Sequence, residues 1–344
     1  MTNTVRDGGI ALFSTCPPSN TGDQANYLRQ VIDAAQWSER AGCNGTLVYS
    51  DNSMVDPWLV ALAIAQHTER LCPLVAVQPI YMHPYSVAKM ASSIAHLTRR
   101  RVFLNMVAGG FKNDLTALND TTPHDKRYDR LVEYTLLVKR LLGGETVSVE
   151  GEFYKVDKLK LAPSLPPELS PGIFISGSSA AGLAAAKAIG ATAIAYPKAL
   201  NEVQANPADG IKSGIRVGII SRDNEDEAWR VAHARFPLDR QGQLTHQLAM
   251  KMSDSVWHKQ LSESNGAAKR GVYWLGPFEN YKSMCPYLVG DHGAVGEQLA
   301  GYISLGHRTF ILDVPPNPEE LRHTREAFNR ALEISTCLTH SMNG

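Results

Sequence analysis

The chain has 344 residues, 44% of them apolar and 20% charged, which is the make-up of an ordinary globular enzyme with one large core. Lys plus Arg and Asp plus Glu each number 34, so no basic excess draws the chain to nucleic acid or to an anionic membrane. No run reaches the roughly 18 apolar residues of a membrane helix, MTNTVRDGG lacks a signal-peptide profile, and five scattered cysteines without CxxC spacing fit a reducing compartment, so the chain is expected in the cytoplasm.

In chain order, short apolar runs alternate with helical patterns. Ile10–Ser14 reads as a buried strand, and Asn26–Ala41 carries Leu28, Val31, Ile32 and Ala35 at helical spacing before stopping at Gly42. Thr46–Tyr49 is a second strand, followed by a helix with Asp56 as its cap and Pro57 at its first position. Leu74–Val77 is a third strand, with a helix from Pro84 to about Arg99 behind it. Val102–Val107 is a fourth, followed by a long helix over Asp125–Leu142. The rhythm breaks at Glu145–Lys160, where period-two alternation around Gly151 predicts a hairpin or extended excursion. It resumes with strands Ile173–Ser176, Thr192–Ala195, Ile215–Ile220 and Thr309–Leu312. The helices interleaved with them are Ala180–Ile189, Glu225–Phe236, Gly293–Leu305 and Pro318–Glu333, and about Pro237 to Tyr287 reads as irregular or helical.

About eight strand–helix units with near-continuously apolar strands predict one domain, an α/β (βα)8 TIM barrel with insertions. The alternative is an open doubly wound sheet, but no GxGxxG turn follows the first strand.

In such a barrel, chemistry sits at strand C-termini and the loops after them. Those positions here hold amides, hydroxyls and backbone groups, Asn52 and Tyr196 among them, with no HxH or HxxE cluster and few paired carboxylates. Metal hydrolysis and glycoside cleavage lack their residues, and a bound cofactor is expected to carry the reaction. Gly177-Ser178-Ser179, between a strand and a helix, reads either as a phosphate seat or as an ordinary serine cap. Arg127-Tyr128 reads either as a cation and phenol for the same phosphate or as a solvated helix face. Cys16 and Cys285 read as reactive thiols or as small buried hydrophobes.

Six runs in register resemble the luciferase-like monooxygenase superfamily, and within it the two-component alkanesulfonate monooxygenase branch. They are AGCNGTLVYSDNSMVDPWLVALAIAQHTERL, LVAVQPIYMHPYSVAKMASSIAHLTRRRVFLNMVAGG, HDKRYDRLVEY, IFISGSSAAGLAAAKAIGATA, GIRVGIISRDNEDEAW and YLVGDHGAVGEQLAGYISLGHRTFILD. The resemblance implies a bacterial-luciferase-like barrel that binds FMN, with the phosphate on Gly177, Ser178 and Ser179 and assisted by Arg127 and Tyr128. It implies that Asn105 lines the flavin ring, that Ala76 lies beneath it, and that a non-prolyl cis peptide falls within Leu74–Val77, at Val75–Ala76 for choice. Arg216 matches an arginine of the sulfonate branch. The branch's partner histidine is Gly218 here, its cysteine is Met54, its first-strand histidine is displaced by Cys16-Pro17, and its late tyrosine is missing. Lys282 is the nearest cation to its flexible-segment arginine. Much of the sulfonate-handling set is therefore absent, which argues against an ordinary alkanesulfonate.

The activity implied is oxidation of a small organic metabolite by O2 and reduced FMN, the latter supplied by a separate NAD(P)H:flavin reductase, in a homodimer or homotetramer. The alternatives are a deazaflavin-dependent oxidoreductase on the same barrel and a flavoprotein that binds FMN without turnover. Acid–base work falls to His83 at the mouth of strand three, the alternative being that this histidine is structural. Tyr196, Lys198 and Arg216 are expected to face the pocket. Arg216 either holds a ligand anion or forms an internal ion pair. The segment Pro237–Tyr287, with Trp257, Tyr273, Trp274, Phe278 and Tyr281, is expected to be a lid, or else an interface or extra packing.

Overall fold

A computed structural model describes residues 9–109, 112–177, 179–203, 210–252 and 271–341. In chain order its strands are β1 (Ala11–Thr15), β2 (Gly45–Val48), β3 (Cys72–Val77), β4 (Phe103–Met106), β5 (Thr146–Glu150), β6 (Lys155–Lys160), β7 (Ile173–Ser176), β8 (Thr192–Ala195), β9 (Ser213–Arg222), β10 (Tyr273–Trp274), β11 (Tyr287–Asp291) and β12 (His307–Leu312). Its helices are α1 (Tyr27–Arg40), α2 (Pro57–Gln66), α3 (Pro84–Thr98), α4 (Lys112–Ala117), α5 (His124–Leu142), α6 (Ala180–Ile189), α7 (Glu225–Arg235), α8 (Arg240–Met252), α9 (Gly276–Glu279), α10 (His292–Ser304) and α11 (Pro318–Ser341).

Eight parallel strands, β1, β2, β3, β4, β7, β8, β9 and β12, close into a barrel, because β9 pairs with β8 on one side and β12 on the other. All eight predicted strands are present in the predicted order. Apolar side chains at alternate positions point inward. Phe13, Leu47, Leu74, Ala76, Phe174, Ile194 and Ile311 fill the interior as one cluster. Phe13 packs edge-on against Phe103 and Phe174, with both ring centroids at 5.2 Å. Gly45 leaves room for this plug, since a Cβ there would lie 2.2 Å from the Cys72 carbonyl oxygen and 2.9 Å from the Phe13 ring. Two larger apolar clusters fill the space between strands and helices.

The helix starts follow from their capping chemistry. Asp56 accepts from the Trp58 and Leu59 N–H groups in front of Pro57 at the head of α2, and Gly190 ends α6 in the left-handed conformation at φ 72°. The predicted hairpin is β5–β6, antiparallel and turning at Gly151. The expected non-prolyl cis peptide is not there. The cis bond among the described residues is Ala162–Pro163, and Leu74–Val77 runs as a regular ladder, Ala76 opposite Asn105. No helix among the described residues is long and apolar enough to cross a membrane.

The segment after Pro237 holds more regular structure than its mixed composition suggests. It contains α8, β10 and α9, while Trp257 lies outside the described residues. It is followed by β11, which the sequence reading did not separate from the irregular segment. Residues 218–222 of β9 pair in parallel with β11, beyond the part that closes the barrel. One strand thus belongs to two sheets.

Candidate active site

Two residues beyond the apolar plug, the same alternation raises a polar layer at the strand C-termini. Leu47 is followed by Tyr49, Phe103 by Asn105, Phe174 by Ser176, Ile194 by Tyr196, and Ile311 by Asp313. Arg216 enters this layer from β9 and is 8% exposed. Its Nη1 donates to the Tyr196 hydroxyl at 3.2 Å and its Nη2 to the Tyr49 hydroxyl. The guanidinium carbon lies 5.0 Å from the Tyr49 ring centroid and 5.9 Å from that of Tyr196. Burial pushes the Tyr49 hydroxyl up to about 12 and raises Tyr196 as well, so both phenols stay protonated.

Asp313 stands across from Arg216, its Oδ1 3.8 Å from Nη2. Three donors pin this carboxylate: Ser283 Oγ at 2.6 Å and Tyr287 Oη at 2.7 Å to Oδ2, and the Val314 N–H at 2.9 Å to Oδ1. Burial alone would raise the Asp313 carboxyl. Arg216 and these hydrogen bonds outweigh it and hold the group below the usual carboxylate range. The Arg216 reading that prevails is the internal ion pair. Gly218, where the sulfonate branch has histidine, faces the Tyr287 ring so closely that a Cβ would sit 2.3 Å from it. Tyr287, from β11, fills that volume.

A second group of expected residues also comes together. Tyr128, in the first turns of α5, brings its hydroxyl beside the side chain of Ser179. Ser179 caps α6, accepting from the Gly182 N–H at 3.1 Å. Gly177 is needed between them, because a Cβ would lie 2.5 Å from the Tyr128 oxygen. Arg127 is 4% exposed and donates to the Thr122 carbonyl at 3.0 Å. It is no solvated helix face. Ser178 lies outside the described residues. Asn105, 4% exposed, accepts from Ser176 Oγ at 2.9 Å, and Ala76 lies beside it on β3. Ala76 also lines a cleft of about 270 Å³ with Met54, Trp58, Gln78 and Tyr81.

Other expected residues are elsewhere. His83 is an exposed helix cap, its Nδ1 accepting from the Tyr85 N–H at 3.2 Å, with its ring edge-on to Tyr154. Asn52 is exposed and donates to the Asp114 carbonyl at 3.3 Å. Lys198 is exposed, and Lys282 is paired with Asp239 at 2.7 Å. Cys16 and Cys285 are buried. Burial lifts the Cys16 thiol to about 12 and raises Cys285 too, so neither is a ready nucleophile. Sequence reasoning missed the roles of Tyr49, Ser283, Tyr287 and Asp313. The step of two from Leu47 and Ile311 would have found Tyr49 and Asp313. Tyr287 required knowing that β11 runs beside Gly218.

The luciferase-like monooxygenase family matches residues 9–309. A relative from Niallia circulans, the 4-(gamma-L-glutamylamino)butanoyl-[BtrI acyl-carrier protein] monooxygenase BtrO, is 34% identical over 307 residues, covering 86% of this chain and 89% of its own. Among solved structures, the long-chain alkane monooxygenase LadA superposes with a TM-score of 0.71 at 18% identity, covering 92% of this chain and 89% of its own. The oxygenating constituent of 3,6-diketocamphane monooxygenase from Pseudomonas putida, in complex with FMN, does so at 0.67 and 16%, covering 94% and 98%. With a closed eight-stranded parallel barrel and a family match across most of its length, the chain is an enzyme of the flavin monooxygenase type and belongs to the luciferase-like monooxygenase family.

Proposed function

We propose that the enzyme uses reduced FMN, received from a separate NAD(P)H:flavin reductase, and O2 to oxidise an organic acyl substrate at the open end of the barrel. The observation that carries this reading is the cradle of Tyr128, Gly177 and Ser179 at the N-terminus of α6, with Arg127 buried beside it. Two hydroxyls, a helix N-terminus and a cation suit a phosphate monoester. When bound, reduced FMN supplies the electrons that activate O2.

The remaining work belongs to this chain's own residues. Asn105, fixed by Ser176, would offer its amide to the cofactor's ring system, and the single methyl of Ala76 beside it on β3 would leave room for a planar ring. The aromatic plug of Phe13, Phe103 and Phe174 shuts water out from below. Residues 271–287 shield the rim from above. Tyr273 donates to the Pro197 carbonyl at 2.9 Å and Ser283 holds Asp313, which ties this segment to the ends of β8 and β12.

The relative acts on an acyl group carried by a carrier protein, and this supports the same substrate class here. Gly218, Met54 and the paired Lys282 stand against a simple alkanesulfonate.

Titration of the purified full-length chain with FMN, followed by flavin absorbance, tests the cofactor. Removing one donor from an anion site costs about 1–2 kcal/mol, so Tyr128→Phe and Ser179→Ala should each weaken FMN by about tenfold. Unchanged affinity in both, or tighter binding of a deazaflavin than of FMN, would remove the basis for the assignment. O2 consumption in the presence of a flavin reductase then separates catalysis from mere binding.

A further inference from the structure

The polar layer has no net charge. Arg216 is its cation, Asp313 its anion, and Tyr49, Asn105, Ser176 and Tyr196 are neutral. The carboxylate cannot swing aside to admit a competing anion, because Ser283, Tyr287 and the Val314 N–H hold both of its oxygens. The space vacated at Gly218 is what lets the Tyr287 ring in to make one of those bonds. Each terminal nitrogen of Arg216 donates one hydrogen to a phenol, while its buried Nε–H has no acceptor among the described residues. An unpaired N–H on a charge-compensated guanidinium suits a neutral acceptor such as an amide or thioester carbonyl. An anionic head would meet the Asp313 carboxylate as well as the arginine.

We infer that Asp313 is a specificity-determining residue: by neutralising Arg216, it makes the open end of the barrel accept an uncharged carbonyl and reject a sulfonate or other anion. This rests on the reading that substrate sits over the polar layer, and it names the chemistry of the group received there.

Calorimetric titration of the full-length chain with N-butylacetamide and with butanesulfonate, each with and without FMN, tests it. The amide should bind the native protein more tightly than the sulfonate. Asp313→Asn should bind butanesulfonate about tenfold or more tightly than the native protein does, an increase that fades with added salt, and should keep the amide. The gain should vanish in the Arg216→Gln/Asp313→Asn double variant. A merely structural role would lower both affinities together. Equal binding of the two probes by the native chain, or a folded Asp313→Asn with no gain for the sulfonate, overturns the inference.

Should Asp313→Asn fail to fold, Arg216→Gln alone decides. Loss of the amide by about tenfold without a gain for the sulfonate upholds the inference, and unchanged amide binding overturns it. The flavin-free titrations do not depend on the cofactor, so failure to bind FMN would be seen separately.

Discussion

At the scale of single residues, the same side chain types beside a strand end serve ordinary local structure or the site according to the partners they reach. His83 illustrates the first case. Its ring nitrogen caps α3, so His83→Asn should keep the cap and the pH profile of turnover, while His83→Ala should cost about 1 kcal/mol in thermal or denaturant unfolding. A lost alkaline or acid limb in the asparagine variant would restore His83 as a proton-transfer group. Asp120 illustrates electrostatic pinning. Burial would raise its carboxyl, but the side chains of Arg130 and Thr122 and the Thr122 N–H hold it at about 2, below its ordinary 3.8. Because the folded value is the lower one, this stabilisation is present above about pH 4 and is lost as pH falls from there towards 2. Stability of the native protein should therefore drop more steeply across that window than that of Asp120→Asn, and parallel curves would refute the assignment.

At the scale of elements, the strands could be read from the sequence because strands covered on both faces are apolar throughout, and the helices because Asp56-Pro57, His83-Pro84 and Gly190 carry capping chemistry. The grouping of Tyr128, Gly177 and Ser179 was legible only through the family resemblance, since by themselves the Gly-Ser-Ser turn reads equally as a serine cap and the Arg-Tyr pair as a solvated helix face. The Arg216 surroundings were legible only in part. Arg216 and Tyr196 lie at recognisable strand ends, but Tyr287 and Ser283 reach the site from a segment whose composition carries no clear period, and their proximity depends on tertiary pairing of β11 with β9. His83 and Asn52 misled for the converse reason: position beside a strand end does not say which way a side chain turns. Close approach between elements gives a further prediction. Gly45→Ala would force a Cβ against the Cys72 carbonyl and the Phe13 ring, and should lower stability by about 1–3 kcal/mol in denaturant unfolding. A neutral result would show that β2 and β3 separate easily.

At the scale of the whole molecule, a closed apolar cylinder supports one polar end, and a side sheet reaches into that end through β9. The first half of β9 completes the barrel and carries Arg216, while its second half leaves the cylinder to pair with β11. Backbone amides of β11 and of residues 218–222 should exchange with deuterium as one unit, opening before residues 213–217 do. Simultaneous opening of all ten residues would mean the two sheets are a single cooperative body. The shared strand works as a splice between a permanent vessel and a replaceable fitting. Lengthening or rewriting the fitting leaves the staves that keep the vessel shut untouched.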